Sequence, residues 1–358
     1  MRDYTLTGPD GARAVESGLA AAEWYHTDVP RKEMKQFMRR EDGPAIRDTI
    51  IWLGSMVLLA GIAIWLMPSW WSLPFWLAYG VLYGSAGDSR WHECGHGTAF
   101  KTQRYNDWVY QIASFMMVRN PVSWRWSHAR HHTDTIVVGR DPEIALMRPP
   151  AALRLASNVL GLHDAWTGWK RMVLNAFGHL SDEERDYIPE TEQPKAIRVA
   201  RVWLAIYAAT ILSVLLFQSW IPLLLIGLPR LYGAWHHVMT GLIQHGGLAE
   251  DVLDHRLNTR TVYMNPVSRF VYWNMNYHVE HHMFPMVPYH RLPALHERIK
   301  HDLPEPDPSI WAAYRDMLPV LWRQLRGDPR FMTRALPETA RPYDEVHHRG
   351  ALGQVAAE

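Results

Sequence analysis

Two long apolar stretches, each doubled back on itself, set the pattern of this chain. Ile50 to Met67 carries no charged residue, and its length approaches the ~20 residues a helix needs to span the hydrocarbon core of a bilayer. The break that follows, Pro68-Ser69-Trp70-Trp71-Ser72, is also uncharged and contains a helix breaker and two tryptophans, side chains suited to a membrane interface. A second uncharged run, Leu73 to Gly87, continues through Asp88 and Arg90 into a histidine-rich segment. The pattern returns from Val202 to Pro229, broken near Gln218-Ser219-Trp220-Ile221-Pro222, with its second limb running through Arg230 toward His245. Each pair reads as a tight helical hairpin, with spans expected at 50–67, 73–90, 202–218 and 220–240. Trp108 to Val118 is too short to span and is expected to lie in the interface or pack on the protein.

The flanks give the orientation. Both hairpin turns lack Lys and Arg, whereas the N-terminal segment (with Arg31, Lys32, Lys35, Arg39 and Arg40), the middle and the C-terminal part are rich in them. The positive-inside rule places all three in the cytoplasm, and four spans permit this. The expected fold is all-α and integral to the inner (cytoplasmic) membrane: four transmembrane helices in two hairpins, with a helical cap carrying the histidines. Residues 1–48 are expected as a cytoplasmic segment, 49–300 as the membrane domain and 301–358 as a cytoplasmic tail. The first forty residues lack the apolar core of a secretory signal. A soluble all-α protein with buried hairpins is the alternative, but charge-free, Trp-rich turns suit it poorly.

Composition narrows the chemistry. A net charge of +1 with 20% charged residues excludes a nucleic-acid binder with a broad basic face. The lone cysteine, Cys94, allows no internal disulfide. A mean hydropathy of −0.22 hides the segregation described above. The 20 histidines matter because they cluster. Three boxes stand out: His92-Glu93-Cys94-Gly95-His96, His128-Ala129-Arg130-His131-His132 and His278-Val279-Glu280-His281-His282. On a helix, positions three and four apart share a face, so each box turns its histidines to one side. Neutral imidazole suits iron, zinc or copper, and this many donors exceed the needs of one ion, so two adjacent metals are the economical reading. The first box is also literally H-E-x-x-H, the zinc-protease signature with Glu93 as general base. One zinc has no use for the two further boxes.

The boxes and the hairpins before them resemble the membrane fatty-acid desaturase and hydroxylase superfamily over roughly Ile50 to His296. The third box carries a characteristic frame, Asn276-Tyr277-His278-Val279-Glu280-His281-His282-Met283-Phe284-Pro285. The resemblance implies a non-haem di-iron oxidase that desaturates or hydroxylates an unactivated C–H site of an acyl or similar apolar chain with O2. It implies as ligands His92, His96, His128, His131, His132, His245, His278, His281 and His282, with Gln244-His245 matching the family's extra histidine. Some acyl-CoA desaturases have Asn four residues before that histidine, where this chain has Gly241. The haem-binding His-Pro-Gly-Gly of fused cytochrome b5 modules does not occur, so electrons are expected from a separate donor such as a ferredoxin and its reductase. The frame from Asn258-Thr259-Arg260-Thr261 to Trp273-Asn274-Met275 also resembles the bacterial hydrocarbon oxygenases of rhizopine catabolism, which would make the substrate a small catabolite. Ligating imidazoles usually donate their outer N–H to a carboxylate or carbonyl; Glu93, Asp134, Asp141, Asn276 and Glu280 are the candidates. Trp124, Trp126, His236 and His237 are candidates for the substrate entrance.

Overall fold

A computed structural model describes residues 2–20 and 22–344; these are helical, with no strand beyond the isolated bridges Thr261–Tyr277 and Val262–Asp307. Helices α1 (Pro9–Glu16) and α2 (Arg31–Phe37) precede the first long rod, α3 (Asp42–Trp65). Along α3 the buried residues are Ala45, Asp48, Trp52, Met56, Ala60 and Ala63. They recur every three or four positions, the period of one helix face. Most of the remaining apolar positions, including Ile50, Val57, Leu58 and Trp65, are exposed, while Leu53 and Leu59 are half-buried.

The second limb is not the single helix expected over 73–90. After a 3-10 turn at Trp70–Ser72, α4 (Leu73–Gly84) stops at Ser85 and α5 (Ala86–His96) follows. The Ser85 hydroxyl donates to the Gly233 carbonyl (2.6 Å) and accepts from the His237 backbone N–H (3.0 Å), tying this break to the other hairpin. Gly97, at φ 69°, closes α5 in the left-handed conformation that glycine adopts freely. The amphipathic α6 (Gln103–Met117) packs along α5 and buries Val109, Tyr110, Ala113 and Met117, while Trp108 is exposed. Of the two expectations for this segment, packing on the protein is the one observed. Helix α7 (Pro121–Thr133) starts with proline in its first turn and with Asn120 accepting from the Val122 N–H (3.0 Å).

Helices α8 (Ala152–Asn158), α9 (Leu162–Ala176) and α10 (Asp182–Tyr187) lead into α11 (Gln193–Phe217). The segments Arg31–Trp65 and Gln193–Phe217 are long and apolar enough to cross a membrane. Only 28% and 22% of their most apolar stretches are buried, whereas the core helix of a soluble domain is mostly covered. Trp70, Trp71 and Trp220 stand exposed at the turns.

The limb expected at 220–240 is three helices: α12 (Ile221–Leu225), α13 (Pro229–Tyr232) and α14 (Trp235–His245). Gly227 at φ 92° and the N–H-less Pro229 interrupt it. Close approach is the other reason. A Cβ on Gly233 would stand 1.7 Å from the Gly80 carbonyl oxygen, so only glycine lets the two second limbs touch backbone to backbone.

Short helices α15 (His255–Asn258), α16 (Pro266–Val271), α17 (His278–Met283) and α18 (Leu292–Ile299) form the cap. Helix α17 is buried along its whole length, among Tyr25, Met275, Tyr277, Leu295 and Ile299. In the segment expected as a tail, α19 (Ile310–Leu325) packs Ala313 and Met317 beside Ile243 of α14. The chain beyond it returns over the cap, with the Met332 N–H on the Gly247 carbonyl (2.7 Å) and the Arg341 N–H on Asp302 (2.8 Å). The part of that expectation covering 345–358 lies outside the described residues.

Candidate metal centre

Box 1 occupies the last turns of α5, box 2 the end of α7 and box 3 nearly all of α17, while His245 closes α14. Five rings, those of His92, His96, His128, His132 and His281, offer nitrogens all within 4.8 Å of one another. His131, His245 and His282 form a second such group. His278 adjoins it, its Nε2 3.1 Å from His282 Nε2 and 3.3 Å from His245 Nε2. The groups are neighbours, since the rings of His132 and His282 stack 4.5 Å apart. All nine sequence-predicted histidines are brought together.

Packing fixes the first two boxes against each other. Trp124, one turn before His128, stacks on that ring at 4.2 Å and reaches across to box 1. A Cβ on Gly95 would fall 2.1 Å from Trp124 Cζ3, so the glycine inside box 1 is what admits the indole.

Five of the outer nitrogens have defined partners. His131 Nδ1 lies 2.8 Å from Asp141, and His128 Nδ1 lies 2.8 Å from Glu143. His245 Nδ1 faces the Asn258 carbonyl at 2.8 Å. His282 Nδ1 meets the Thr135 hydroxyl and His278 Nδ1 the Gln244 amide, both at 3.3 Å. Of the sequence candidates, Asp141 takes the expected position. Glu93 lies beside the outer nitrogens of His92 (3.5 Å) and His281 (3.7 Å), with its other oxygen on the Tyr289 N–H and Thr98 hydroxyl. Asp134 pairs with Arg140 (2.8 Å), Asn276 holds the Val262 carbonyl (2.9 Å), and Glu280 binds Thr261 and His296. These three touch no box histidine. Sequence reasoning missed Glu143, although Asp141-Pro142-Glu143 offers two acids on one short loop after box 2, as well as Thr135, Gln244 and the Asn258 carbonyl.

Do these residues fit a metal pair? His128 Nε2 lies 3.0 Å from Nε2 of both His96 and His132, and His132 Nε2 lies 3.2 Å from that of His281. With the Nδ1 proton of His128 given to Glu143, its Nε2 presents a lone pair to two neighbours. Such a cluster calls for a cation. Nitrogens about 2.1 Å from one ion, at right angles, sit about 3.0 Å apart. Burial pushes His96 and His245 down to about 3, and holds His92, His128, His132, His278, His281 and His282 well below the ordinary imidazole value. Neutral imidazole is the ligating form. His131 goes the other way: burial opposes its charge, but the Asp141 carboxylate prevails and raises it. Both ring nitrogens of His92, and Nδ1 of His132 and His281, are buried without a hydrogen-bond partner. An all-nitrogen set in two adjoining groups fits two borderline transition-metal ions. Burial lifts the Glu93 carboxyl to about 8, and its contacts lie on the outer side of the histidines. That is the wrong place for the general base of a zinc protease.

A cavity of about 130 Å³ opens beside the cluster. His92, His128, His131, His245 and His278 line it, with Asp88, Arg119, Arg148, Glu250 and Gln324. Gly241 also lines it, and a Cβ there would meet nothing within 4 Å. Trp124, Trp126, His236 and His237 are not among its walls. Trp124 is buried against histidines and Trp126 is exposed. His236 meets the Ser268 hydroxyl (3.1 Å) and His237 meets Arg230 (3.1 Å), both buried by the close crossing of the second limbs.

Known proteins resemble this chain in sequence. The chain is 26% identical over 264 residues to a Delta(5) fatty acid desaturase of Caenorhabditis elegans, covering 64% of this chain and 57% of that protein. It is 34% identical over 70 residues to an sn-1 acyl-lipid omega-3 desaturase (ferredoxin) of Synechocystis sp., 19% of each chain. An omega-6 fatty acid desaturase (endoplasmic reticulum isozyme 1) of Glycine max is 34% identical over 98 residues, 26% of this chain and 25% of its own. The chain thus spans little more than half, or less, of the length of these relatives. Residues 68–314 match the sequence model of the fatty acid desaturase family, and they contain every histidine of the cluster; the chain belongs to that family.

Proposed function

We propose that this protein is an integral-membrane oxidoreductase that uses O2, two irons and electrons from a separate donor to desaturate or hydroxylate an unactivated C–H site. The observation that carries this reading is the convergence of nine imidazoles into two adjoining groups. Four spans are proposed, with α3 and α11 as the lipid-facing limbs and residues 73–90 and 220–240 as the broken second limbs, whose ends carry His92, His96 and His245 beyond the membrane, both termini and the site being cytoplasmic. His92, His96, His128, His132 and His281 would hold one iron, and His131, His245, His278 and His282 the other. When bound, the pair supplies the oxidising power from O2 that C–H cleavage requires.

The chain's own residues do the rest. Asp141 and Glu143 orient His131 and His128, and the Asp141 carboxylate raises the basicity of His131. The Asn258 carbonyl fixes the tautomer of His245, leaving Nε2 free to ligate. Trp124, wedged against box 1, closes one side of the centre to water.

A second reading, oxygenation of a small catabolite, is favoured by the cavity. Asp88, Arg119, Arg148 and Glu250 line it, and an alkyl chain would leave such groups poorly solvated. The experiment is aerobic product analysis with a ferredoxin–reductase system, alongside chromatography of lipids from a host expressing the gene. New double bonds or hydroxyls in lipid support the acyl reading. Unchanged lipids with an oxidised small substrate support the second, and no oxidised product from either class overturns both.

A further inference from the structure

One histidine touches the cluster without a part in it. His255, the first residue of α15, is buried, its ring 5.0 Å from that of His282, and its Nδ1 has no hydrogen-bond partner. On its other side Trp24 lies flat against it, centroids 4.3 Å apart and planes within 6°. The N-terminal segment holds that indole firmly. Its Nε1–H donates to the Thr133 carbonyl (3.0 Å), its ring packs with Ala14, Leu19, Val137 and Leu253, and the next N–H bonds to the Leu253 carbonyl (2.9 Å). The residues on either side of the Trp24–Tyr25 pair, Glu23 and His26, are exposed.

We infer that Trp24 and His255 form the path by which electrons from a one-electron iron–sulfur donor reach the histidine cluster at His282. This rests on the oxidase reading proposed above. Either desaturation or hydroxylation by O2 consumes two external electrons and two protons: the substrate supplies the other two electrons, and O2 takes up four. Each donor molecule loses one electron and the metal centre gains one. Among the described residues, the rings stacked near the cluster elsewhere do not lead outward. Trp124 passes to Trp91 and Tyr110, and both are almost fully buried. The Trp24–His255 stack instead joins a ligand ring to a surface segment in two ring-to-ring steps.

The test uses the full chain loaded with iron and oxidised to the ferric state, in nanodiscs, and a reduced plant-type [2Fe–2S] ferredoxin, mixed anaerobically without substrate, following ferredoxin reoxidation as each electron reduces one ferric ion to ferrous. Reduced methyl viologen, small enough to approach by other routes, is the parallel donor. Trp24→Leu and His255→Leu are expected to slow ferredoxin reoxidation more than tenfold and viologen oxidation less than twofold. Iron content and the melting temperature of the metal-free chain should stay close to the parent's. Trp24→Phe and His255→Phe, which keep the stack, should recover most of the ferredoxin rate. Unchanged ferredoxin rates in both leucine variants overturn the path while leaving the oxidase reading standing. Equal losses with both donors overturn it too, because they show damage at His282. If the unaltered chain takes electrons from neither donor, the oxidase reading falls and the path with it.

Discussion

Boxes 2 and 3 share the spacing HxxHH but are supported in different ways. Box 2 sits at the end of a thirteen-residue helix capped by Asn120, and two of its histidines are held by carboxylates from a single loop, Asp141 and Glu143. Box 3 lies on a six-residue helix, fully buried, whose chain enters through two consecutive left-handed residues, Trp273 and Asn274. Two of its outer nitrogens meet a hydroxyl and an amide, and the third lies 3.7 Å from Glu93, all from distant parts of the chain. Box 2 is therefore held by local charge, and box 3 by tertiary packing and the Glu280 contacts to Thr261 and His296. The expected consequence is that box 2 is sensitive to single charge changes, whereas box 3 is sensitive to changes of volume.

The largest effect is expected where box 1 meets box 2. Gly95→Val places atoms where Trp124 lies, an overpacking that costs about 1–3 kcal/mol. Both boxes should be displaced, with metal content falling below half of the parent's, and adding Trp124→Ala should restore part of it. A double-mutant cycle of metal content and melting temperature reads that coupling. Next is Asp141→Asn. Removing the carboxylate behind His131 should weaken metal binding by roughly 10- to 100-fold, measured by competition with a chelator. Val279→Phe is the matching volume change in box 3, where Val279 is 3% exposed. It should lower the melting temperature more than any charge change in box 2.

The pH dependence of the metal-free chain is a smaller test. The cluster imidazoles other than His131, with His96 and His245 pushed down to about 3, stay neutral when folded but take up protons when unfolded below about 6.5. The unfolded state then binds more protons, so stability falls as pH drops from 6.5 toward 3. Melting temperatures measured between pH 7 and 5 should fall, and a flat profile would contradict the neutral cluster. Smallest of all is Asp134→Asn. Asp134 is on the same stretch as Asp141 but pairs only with Arg140, so metal affinity should change less than twofold.

The same contrast explains what the sequence disclosed. Helical spacing within each box, charge-free turns and two long apolar rods are local properties, and they carried the all-α class, the rods at α3 and α11 and the convergence of the nine histidines. Breaks at Ser85 and Gly227–Gly233 escaped because hydropathy does not register a backbone-to-backbone crossing such as Gly80 with Gly233. The partners of box 3 escaped for a related reason: Thr135 and Gln244 lie far from His282 and His278 in sequence. Asp141 was legible, while Glu143, two residues on, was overlooked despite the same logic. Asp134, Asn276 and Glu280 were attractive by proximity to the boxes, but each turns toward other partners.

The account depends most on two ions being held by nine nitrogens. The direct measurement is elemental analysis of the full chain purified in detergent after growth with iron. Close to two irons per chain, dropping by at least one in His131→Ala and in His281→Ala, is the predicted result. A single zinc with no iron, retained in both variants, would contradict it.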